Sequence, residues 1–579
     1  MITDELEFQI EKTKDGYEIL RINKDNKWIY IGSKYNMKSE IDKFLKKIDG
    51  NNDKDRIFLI YGFATGEHIK ALRKNFKNNK ILVFEPNRKL KDYINSIEWI
   101  IKDKDLKILC CEKDELINNM LNYIQEFELD YTNFLFFSNY SNLYIKEVKE
   151  FLEQLKFYFA ELRITRNTKM FFSVRWFETL IRNIPYIVNG TPINLYENIY
   201  KNKPAIIVSA GPSLEKNIVQ LKKLDNEMLI ISGGRTLRSL IDKEIKPQLL
   251  AVADPGEISY ELVKGYIEDL KIPLLFYEGT NENVVINHKG EKIFFSGNDF
   301  TDKIAGKSVV SLVAGGSVSH SMTRCAIFMG CNPIIFIGQD LAYTDDKKYS
   351  SISDDRDNKE KFNDLKREND IFVEAVGGGK VRTGIDLNQF RISFEKIIKE
   401  FPDIKFINAT EGGARINGTI EMPLNEVIEK YKGKKIEPIE KFEYSINMRK
   451  NATETLKEAK KAAQFIIKKS KRALRYLDEL KTSYIVKNTS AVNSILRNLD
   501  KIDEEIKEKY IGFELIESLL YPIIYEILTA KSINIKKPNV DEMNLIVEQN
   551  KKLYDEFLKG LEYAITHIDE TLLKLQENE

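Results

Sequence analysis

The feature that most constrains the fold is a series of short apolar runs in the middle of the chain, each ended by glycine or polar residues. The runs cover residues 205–209, 228–232, 249–253, 273–277, 293–295, 334–337 and 404–407, and helices fit between several of them. Strands that are apolar throughout are typical of a parallel sheet with helices on both faces. We therefore predict a central, doubly wound α/β domain.

The flanking regions differ from the middle and from each other. Upstream, residues 18–31 predict a small β-element, and the apolar runs at 57–61, 81–84, 106–110 and 134–137 predict a second, Rossmann-like α/β domain. Downstream there is no strand pattern, and apolar residues step by three and four along segments that start at Leu456, Val492 and Leu553. The predicted division is 1–169 (Rossmann-like), 170–435 (central α/β) and 436–579 (all-α).

Charge and cysteine content restrict the class of protein. The 579 residues include 90 Lys+Arg and 89 Asp+Glu, a formal net charge of +1, which gives no general attraction to nucleic acid or to an anionic membrane. The four cysteines lack metal-ligand spacing and are too few for a disulfide framework, which favours a reducing compartment. There is no signal-peptide pattern and no run near the ~20 apolar residues that span a bilayer, so we expect a cytoplasmic protein.

The clearest motif follows the run at 205–209 and consists of Gly211, Pro212, Ser213 and Leu214. The N–H groups of such a turn and the positive end of the following helix can face a phosphate. The alternative is a plain strand–helix turn in which Ser213 caps the helix.

Two further turns follow the next two strands. Gly234 and Arg235 open a helix, and the planar fork of an arginine suits a phosphate or a carboxylate, although a plain surface arginine is the alternative. Asp254 can hydrogen-bond a ribose or an acceptor hydroxyl, or it can cap a helix that begins at Pro255. Because parallel strands end at one edge of the sheet, these turns are predicted to converge.

Other strand ends and one helix start add polar residues to the same predicted edge. A carboxylate at the end of a buried strand is costly unless it is paired or used, and a histidine there is often a packing residue. The residues concerned are Glu278, Gly316, Ser317, His320, Gly338, Gln339, Asp340, Thr410 and Glu411.

Some features of the sequence are set aside or left open. Residues 306–308 (GKS) resemble the end of a P-loop, but Thr301 stands where its first glycine is required, and no His/Cys cluster suggests a metal site. The turn at 62–66 (GFATG) and Glu85 look like a nucleotide-binding start without the usual glycine run, which we interpret as a structural relic. Residues 344–370 have almost nothing to bury and are predicted to be a lid or a solvated insertion.

Together these motifs resemble the motility-associated factor (Maf) flagellin glycosyltransferases, whose central domain is shared with archaeal pterin diphosphokinase-like proteins. The matching strings are GPSL at 211–214, ADP at 253–255, GQDLAYT at 338–344 and INATEGGA at 407–414. The likeness covers at least residues 200–425. Family members commonly carry a histidine a few residues after the third string, where this chain has Lys348, Tyr349 and Ser350.

The resemblance implies a sialyltransferase-like central domain that transfers a nonulosonic acid, of pseudaminic or legionaminic type, from its CMP-activated form to Ser/Thr of flagellin. It implies no cofactor beyond this substrate, and it makes the all-α region the candidate flagellin-binding part. The phosphate cradle would be Gly211, Pro212, Ser213 and Leu214. The base and sugar-binding candidates are Asp340 first, then His320, Asp254, Glu411 and Glu278, with Gly234, Arg235, Gly316, Ser317, Gly338, Gln339 and Thr410 as further donor contacts.

Two other functions stay open on the sequence alone. A pterin pyrophosphokinase would need Mg²⁺ and ATP, for which Asp340, Asp345 and Asp346 are the only carboxylate group. A non-catalytic flagellin-binding chaperone would use the amphipathic helices as its working surface.

Overall fold

The computed structural model describes residues 6–48, 56–110, 123–353, 370–510, 514–529 and 539–577. Contacts between Cα atoms divide the chain into two compact units. The first comprises Met1–Phe171 and Ile524–Lys537, and the second comprises Phe172–Ile523 and Pro538–Glu579.

The first unit is built on a four-stranded parallel sheet of order β6-β5-β4-β7, with a three-stranded antiparallel sheet formed by β1, β2 and β3. Every residue of β4 and β5 is buried, which explains why their sequences are apolar throughout. The strands are β1 (Phe8–Lys12), β2 (Glu18–Lys24), β3 (Lys27–Ile31), β4 (Ile57–Tyr61), β5 (Ile81–Glu85), β6 (Leu106–Cys110) and β7 (Thr132–Phe136). The helices are α1 (Met37–Lys46), α2 (Glu67–Asn75), α3 (Arg88–Ile94), α4 (Glu98–Lys102), α5 (Tyr140–Leu143) and the first part of α6 (Ile145–Ile187).

The second unit contains a nine-stranded sheet of order β18-β17-β14-β9-β10-β11-β12-β13-β8, in which every neighbouring pair is parallel. Its strands are β8 (Thr191–Pro192), β9 (Ala205–Val208), β10 (Leu229–Gly233), β11 (Leu249–Ala251), β12 (Leu274–Tyr277), β13 (Lys292–Phe295), β14 (Ile334–Ile337), β17 (Phe406–Asn408) and β18 (Ile420–Glu421). A separate antiparallel hairpin pairs β15 (Ile371–Glu374) with β16 (Lys380–Thr383).

The chain order of this sheet creates a topological switch point beside β9. Strands β10 to β13 extend the sheet on one side of β9, after which the chain returns and adds β14 on the other side. The helices that accompany these strands are α7 (Leu214–Asn217), α8 (Gly234–Ile241), α9 (Glu257–Glu261), α10 (Glu282–Asn287), α11 (Asp299–Ala305), α12 (Val318–Phe328), α13 (Ile385–Glu400) and α14 (Leu424–Tyr431). Ligands of such sheets bind outside the carboxyl ends of the strands at this point.

The C-terminal part of the second unit is helical in the described residues. Its helices are α15 (Met448–Ile485), α16 (Thr489–Tyr510), α17 (Glu514–Thr529), whose residues from Ile524 on are assigned to the first unit, and α18 (Val540–Glu577). The seam predicted from Leu456 onward is buried along α15, including Ser470. Buried residues of these helices, among them Leu456, Ala564 and Ile568, belong to the same hydrophobic cluster as the central sheet.

The predicted fold class is confirmed: two parallel α/β sheets precede an all-α C-terminal region. The two-residue strands β8 and β18 and the hairpin β15–β16 were not predicted, because they are too short or too exposed to produce an apolar run. Gly306, the glycine of the rejected P-loop string, ends α11 in the left-handed conformation (φ 71°). Among the described residues, no helix combines the length and the apolar character needed to cross a membrane.

Candidate functional site

The carboxyl edge of the nine-stranded sheet is the candidate site, because β9, β10, β11, β12, β14 and β17 all run parallel and end there. Ile337 at the end of β14 lies beside Val208 at the end of β9, and Ser232 of β10 lies beside Val208 on the other side. The residues that the sequence analysis selected therefore follow neighbouring strand ends, as predicted.

At this edge, the side chain of Asp340 contacts the turn after β9. Ser213 Oγ donates a hydrogen bond to Asp340 Oδ1 (2.7 Å), and Ser213 N approaches both carboxylate oxygens (3.2 and 3.3 Å). Thr344 Oγ1 donates to Asp340 Oδ2 (2.7 Å). The carboxylate therefore ties the strand ends of β9 and β14 together across the switch point.

The backbone N–H groups of the predicted phosphate cradle already donate hydrogen bonds to other groups of the protein. Gly211 N donates to Gly338 O (2.7 Å), Leu214 N donates to Gly211 O (3.1 Å), Ser213 N donates to Asp340, and Pro212 has no N–H. The anion that this turn binds is the protein's own carboxylate. This geometry argues against the expectation that Gly211, Pro212, Ser213 and Leu214 hold a substrate phosphate.

The same contacts argue against Asp340 as the general base. Its side chain is 1% exposed, and both oxygens accept hydrogen bonds from protein groups. Burial raises its pKa above the ordinary value, while the hydrogen bonds from Thr344 and Ser213 act in the opposite direction. We assign Asp340 a positioning role.

Two glycines allow this close approach. A Cβ on Gly211 would lie 2.0 Å from Asp340 Oδ1, and a Cβ on Gly338 would lie 2.1 Å from Ser209 O. Gly338 also has φ +60°, a conformation that L-residues rarely adopt. The glycines of GPSL and GQDLAYT are therefore explained by packing of the two turns against each other.

A network of polar contacts continues from Asp340 toward β17. Ser209 Oγ donates to Gln339 Oε1 (2.5 Å), and Gln339 N donates to Thr410 Oγ1 (3.0 Å). Glu411 is half-buried and accepts a hydrogen bond from Asn217 Nδ2 (3.4 Å). The structure thus places Gln339, Thr410 and Glu411 at the same edge as Asp340, where Gln339 bonds to Thr410 and Glu411 bonds to Asn217.

His320 is buried and faces away from solvent. Its Nε2 lies 3.0 Å from Phe390 O, and its ring packs on Phe390 and Phe394. A Cβ on Gly315 would lie 2.6 Å from Nδ1, so the glycine turn covers the imidazole. Burial lowers the pKa of His320 to about 4. This favours the packing interpretation over a role as the base.

Glu278 is also a structural carboxylate. Its Oε2 accepts hydrogen bonds from Gly297 N (3.2 Å) and Thr301 Oγ1 (3.0 Å), and the side chain is 3% exposed. It holds the turn after β13 and the start of α11, which argues against direct sugar binding.

Asp254 differs because it is exposed at the end of the β11 segment. Its Oδ1 accepts a hydrogen bond from Gly256 N (2.7 Å), but α9 begins at Glu257 with Gly256 as its N-cap, so Asp254 closes a turn before the helix and does not cap a helix that begins at Pro255. Exposure leaves the carboxylate accessible from solvent, so Asp254 and the half-buried Glu411 are the carboxylates of the predicted set that a ligand can reach.

Arg235 lies in the first turn of α8, directly after β10. Ser232 Oγ and Thr236 Oγ1 are 2.9 Å apart, and Thr236 Oγ1 donates to Gly233 O (3.0 Å), which fixes this turn to the strand. A Cβ on Gly233 would meet Val318 (3.4 Å), so the start of α12, with Gly316 and Ser317 just before it, packs beside Arg235's turn.

The segment that covers this part of the edge lies within the lid or insertion predicted at 344–370. Residues 344–353, here called the strap, cross the ends of β9 and β10, whereas 354–369 of the predicted lid or insertion lie outside the described residues. Ser350 N donates to Ala210 O (2.8 Å), and Ser239 Oγ donates to Ile352 O (2.8 Å). The buried Ser350 and Ser353 mark the strap as packed structure, but serine gives no apolar signal in a sequence.

Tyr349 of the strap contacts Arg235. The guanidinium carbon of Arg235 lies 4.1 Å from the centroid of the Tyr349 ring. The side chain of Arg235 makes no hydrogen bond or ion pair to any other residue in the described part of the chain. Other cations near this edge are paired, Lys348 with Asp386 (2.8 Å) and Arg382 with Asp346 (2.9 Å).

Within the described ranges, no group of three or more His, Cys, Asp or Glu side chains has the arrangement of a metal site. Two of the three carboxylates considered for Mg²⁺ have other partners, since Asp340 binds Ser213 and Thr344 while Asp346 pairs with Arg382. Cys325 and Cys331 are free, buried thiols.

In the first unit, Glu85 was interpreted, together with the turn at 62–66, as a structural relic of a nucleotide-binding site. Its side chain is completely buried. Its oxygens accept hydrogen bonds from Phe63 N (3.0 Å), Asn87 N (3.0 Å) and Tyr140 Oη (2.8 Å). Burial raises its pKa to about 7. The carboxylate that would face a ribose in a nucleotide-binding domain is therefore engaged by groups of this unit.

Comparison with known proteins agrees with this architecture. Residues 178–346 match the family model described as 6-hydroxymethylpterin diphosphokinase MptE-like. The structure is similar to that of the Maf glycosyltransferase from Magnetospirillum magneticum AMB-1, with a TM-score of 0.61 and 14% identity over 99% of this chain and 95% of the other. No curated protein matches the sequence. The resemblance inferred from the motifs is confirmed at the level of the fold.

Proposed function

We propose that this chain is a glycosyltransferase that moves a nonulosonic acid, of pseudaminic or legionaminic type, from its CMP-activated form to serine or threonine hydroxyls of flagellin. The observation that carries the proposal is the likeness to a Maf glycosyltransferase over nearly the full length of both chains. A likeness limited to the parallel sheet would be common to many unrelated enzymes, whereas this one includes both flanking regions.

The carboxyl edge supports the proposal chemically. In the transfer, the acceptor hydroxyl oxygen bonds to the anomeric carbon of the sugar, the bond from that carbon to the CMP oxygen breaks, and the hydroxyl proton passes to a base. Asp254 and Glu411 are accessible carboxylates at this edge, and Arg235 is a cation without an ion-pair partner among the described residues. Because Asp340 and His320 are enclosed, we propose Asp254 as the first candidate for the base.

The test is co-expression of the chain with flagellin and a pathway that makes a CMP-activated nonulosonic acid, followed by intact-mass analysis of flagellin. We expect mass increments equal to one sugar minus water, which disappear when either the chain or the sugar pathway is omitted. Unmodified flagellin that co-purifies with the chain would contradict the transferase and favour a chaperone.

The match of residues 178–346 to the pterin diphosphokinase-like model makes a pyrophosphokinase the second candidate. Incubation of the purified chain with Mg²⁺, ATP and a hydroxymethylpterin distinguishes the two, because a pyrophosphokinase would release AMP. The partners of Asp340 and Asp346 described above favour the transferase.

A further inference from the structure

Arg235 and Tyr349 form a pair that is more buried and more restrained than an ordinary surface arginine would be. Both side chains are half-buried, and both stand on backbone that is held in place: Arg235 by the turn pinned through Ser232 and Thr236, Tyr349 by the strap. The strap is fastened on both sides of Tyr349, since Lys348 pairs with Asp386 (2.8 Å) and Ser351 N and Oγ each donate to Glu215 (2.6 Å). A flexible arginine would lose entropy on binding, and this one is already restrained.

The pairing leaves the hydrogen-bonding edge of the guanidinium available. A guanidinium stacked on a ring has one face covered, and its N–H groups point outward in the plane. No carboxylate among the described residues pairs with the Arg235 guanidinium. Asp254 follows the neighbouring strand β11 without forming such a pair, and Glu257, three residues after Asp254, pairs with Arg175 instead (2.7 Å). An arginine that directly follows a strand end and keeps an open planar fork matches a carboxylate, which is planar and accepts two parallel hydrogen bonds.

We propose that Arg235, held by Tyr349, receives the carboxylate of the acidic sugar donor and so selects acidic over neutral sugars. This inference rests on the proposed function and names a specificity-determining residue for it. Arg235 is the binding residue, and Tyr349 is a positioning residue that acts through it. The phosphate of the donor is then bound by groups other than Arg235.

The probes are CMP and CMP-N-acetylneuraminate, which differ in the sugar and its carboxylate, measured by isothermal titration with the full chain. For Arg235→Gln we expect binding of CMP-N-acetylneuraminate to weaken by roughly 10- to 100-fold, as for loss of a charge-assisted bidentate contact, with CMP changed less than about twofold. Arg235→Lys should restore part of the loss, because it keeps the charge without the fork. Tyr349→Phe should bind like the wild type, and Tyr349→Leu should lose about two- to fivefold.

Arg238→Gln is the matched control. Arg238 lies one turn further along α8 and also stacks on a tyrosine, Tyr266 (5.5 Å). It should leave both affinities unchanged, and thermal unfolding of each variant without ligand reports whether the fold is intact.

The outcomes separate the two proposals. If Arg235→Gln weakens CMP and CMP-N-acetylneuraminate equally, Arg235 contacts the phosphate and the assignment to the carboxylate is overturned while the donor class stands. If Arg235→Gln changes neither, Arg235 is outside the donor site. If the wild type binds neither probe, the donor class fails and the assignment fails with it.

Discussion

At the scale of single residues, Asp340 shows how a buried carboxylate can be satisfied without a substrate. Its hydrogen bonds to Ser213 and Thr344 compensate for the cost of removing charge from water. The sequence suggested a polar residue in need of a partner, which is correct. It did not reveal that the partner was the glycine turn 127 residues earlier in the chain, because a long-range contact has no local signal.

The glycines that permit this contact should be intolerant of substitution. We expect Gly338→Ala to lower the free energy of unfolding by on the order of 3 kcal/mol or more, since its Cβ would meet backbone and its φ is positive. Gly377→Ala is the control: its φ is +75°, but nothing lies within 4 Å of an added Cβ, so only about 1 kcal/mol is expected. Urea unfolding of the full chain compares them, and equal stability of the two variants would refute the packing explanation.

Glu85 should make the first unit pH-dependent. Its pKa is about 7 in the folded chain against an ordinary 4.5, so the folded state holds the proton more tightly. The contribution to stability is therefore fully present below about pH 4.5 and is lost as the pH rises through about 7, by about 3 kcal/mol in all. We expect hydrogen exchange of β4 and β5 to be faster at pH 8 than at pH 5 after correction for the intrinsic rates. Glu85→Gln should remove most of that difference, and an unchanged difference would mean that another group is responsible.

At the scale of elements, the strands that could be predicted are the fully buried ones. The run at 334–337 was located without error because every residue of β14 is buried and therefore apolar. The hairpin β15–β16 has mostly exposed residues and the strap is tied down by serines, so neither leaves a periodic pattern. The candidate site follows the same division: the strand ends were predicted, whereas the covering segment was predicted only as a lid or a solvated insertion, without the contacts that fix it.

The strap should loosen when its anchor is removed. Glu215 accepts hydrogen bonds from Ser350 Oγ (3.1 Å) and from Ser351 N and Oγ (2.6 Å each). We expect Glu215→Gln to increase hydrogen exchange in residues 347–353 severalfold while the sheet keeps its protection, since the loss of charged acceptors is local. Glu244→Gln, which removes only a surface ion pair with Lys222, should change neither the exchange of residues 347–353 nor the protection of the sheet. Increased exchange throughout β9 and β14 would show instead that Glu215 supports the whole edge.

At the scale of the whole molecule, the open question is whether the C-terminal helices are a separate domain or part of the central one. The predicted boundary at 435/436 stays a prediction. In the structure, Ala564 and Ile568 of α18 belong to the cluster that contains the sheet residues Leu274 and Phe294. Thr571 Oγ1 also donates to Ile181 O of α6 (3.3 Å). These contacts favour one cooperative unit over two independent ones.

A pair of substitutions decides whether the central sheet and the C-terminal helices unfold as one cooperative unit or as two independent ones. Ile568 is fully buried in the shared cluster, whereas Ile485 at the end of α15 is 52% exposed. If the unit is cooperative, Ile568→Ala costs about 2–5 kcal/mol and lowers the hydrogen-exchange protection of β9 and β14 by a similar amount, although both strands are far away in sequence. Ile485→Ala should stay within about 0.5 kcal/mol. Loss of protection confined to residues 448–577 in Ile568→Ala would mean that the helices unfold alone, and that the division at 435/436 marks a real domain boundary.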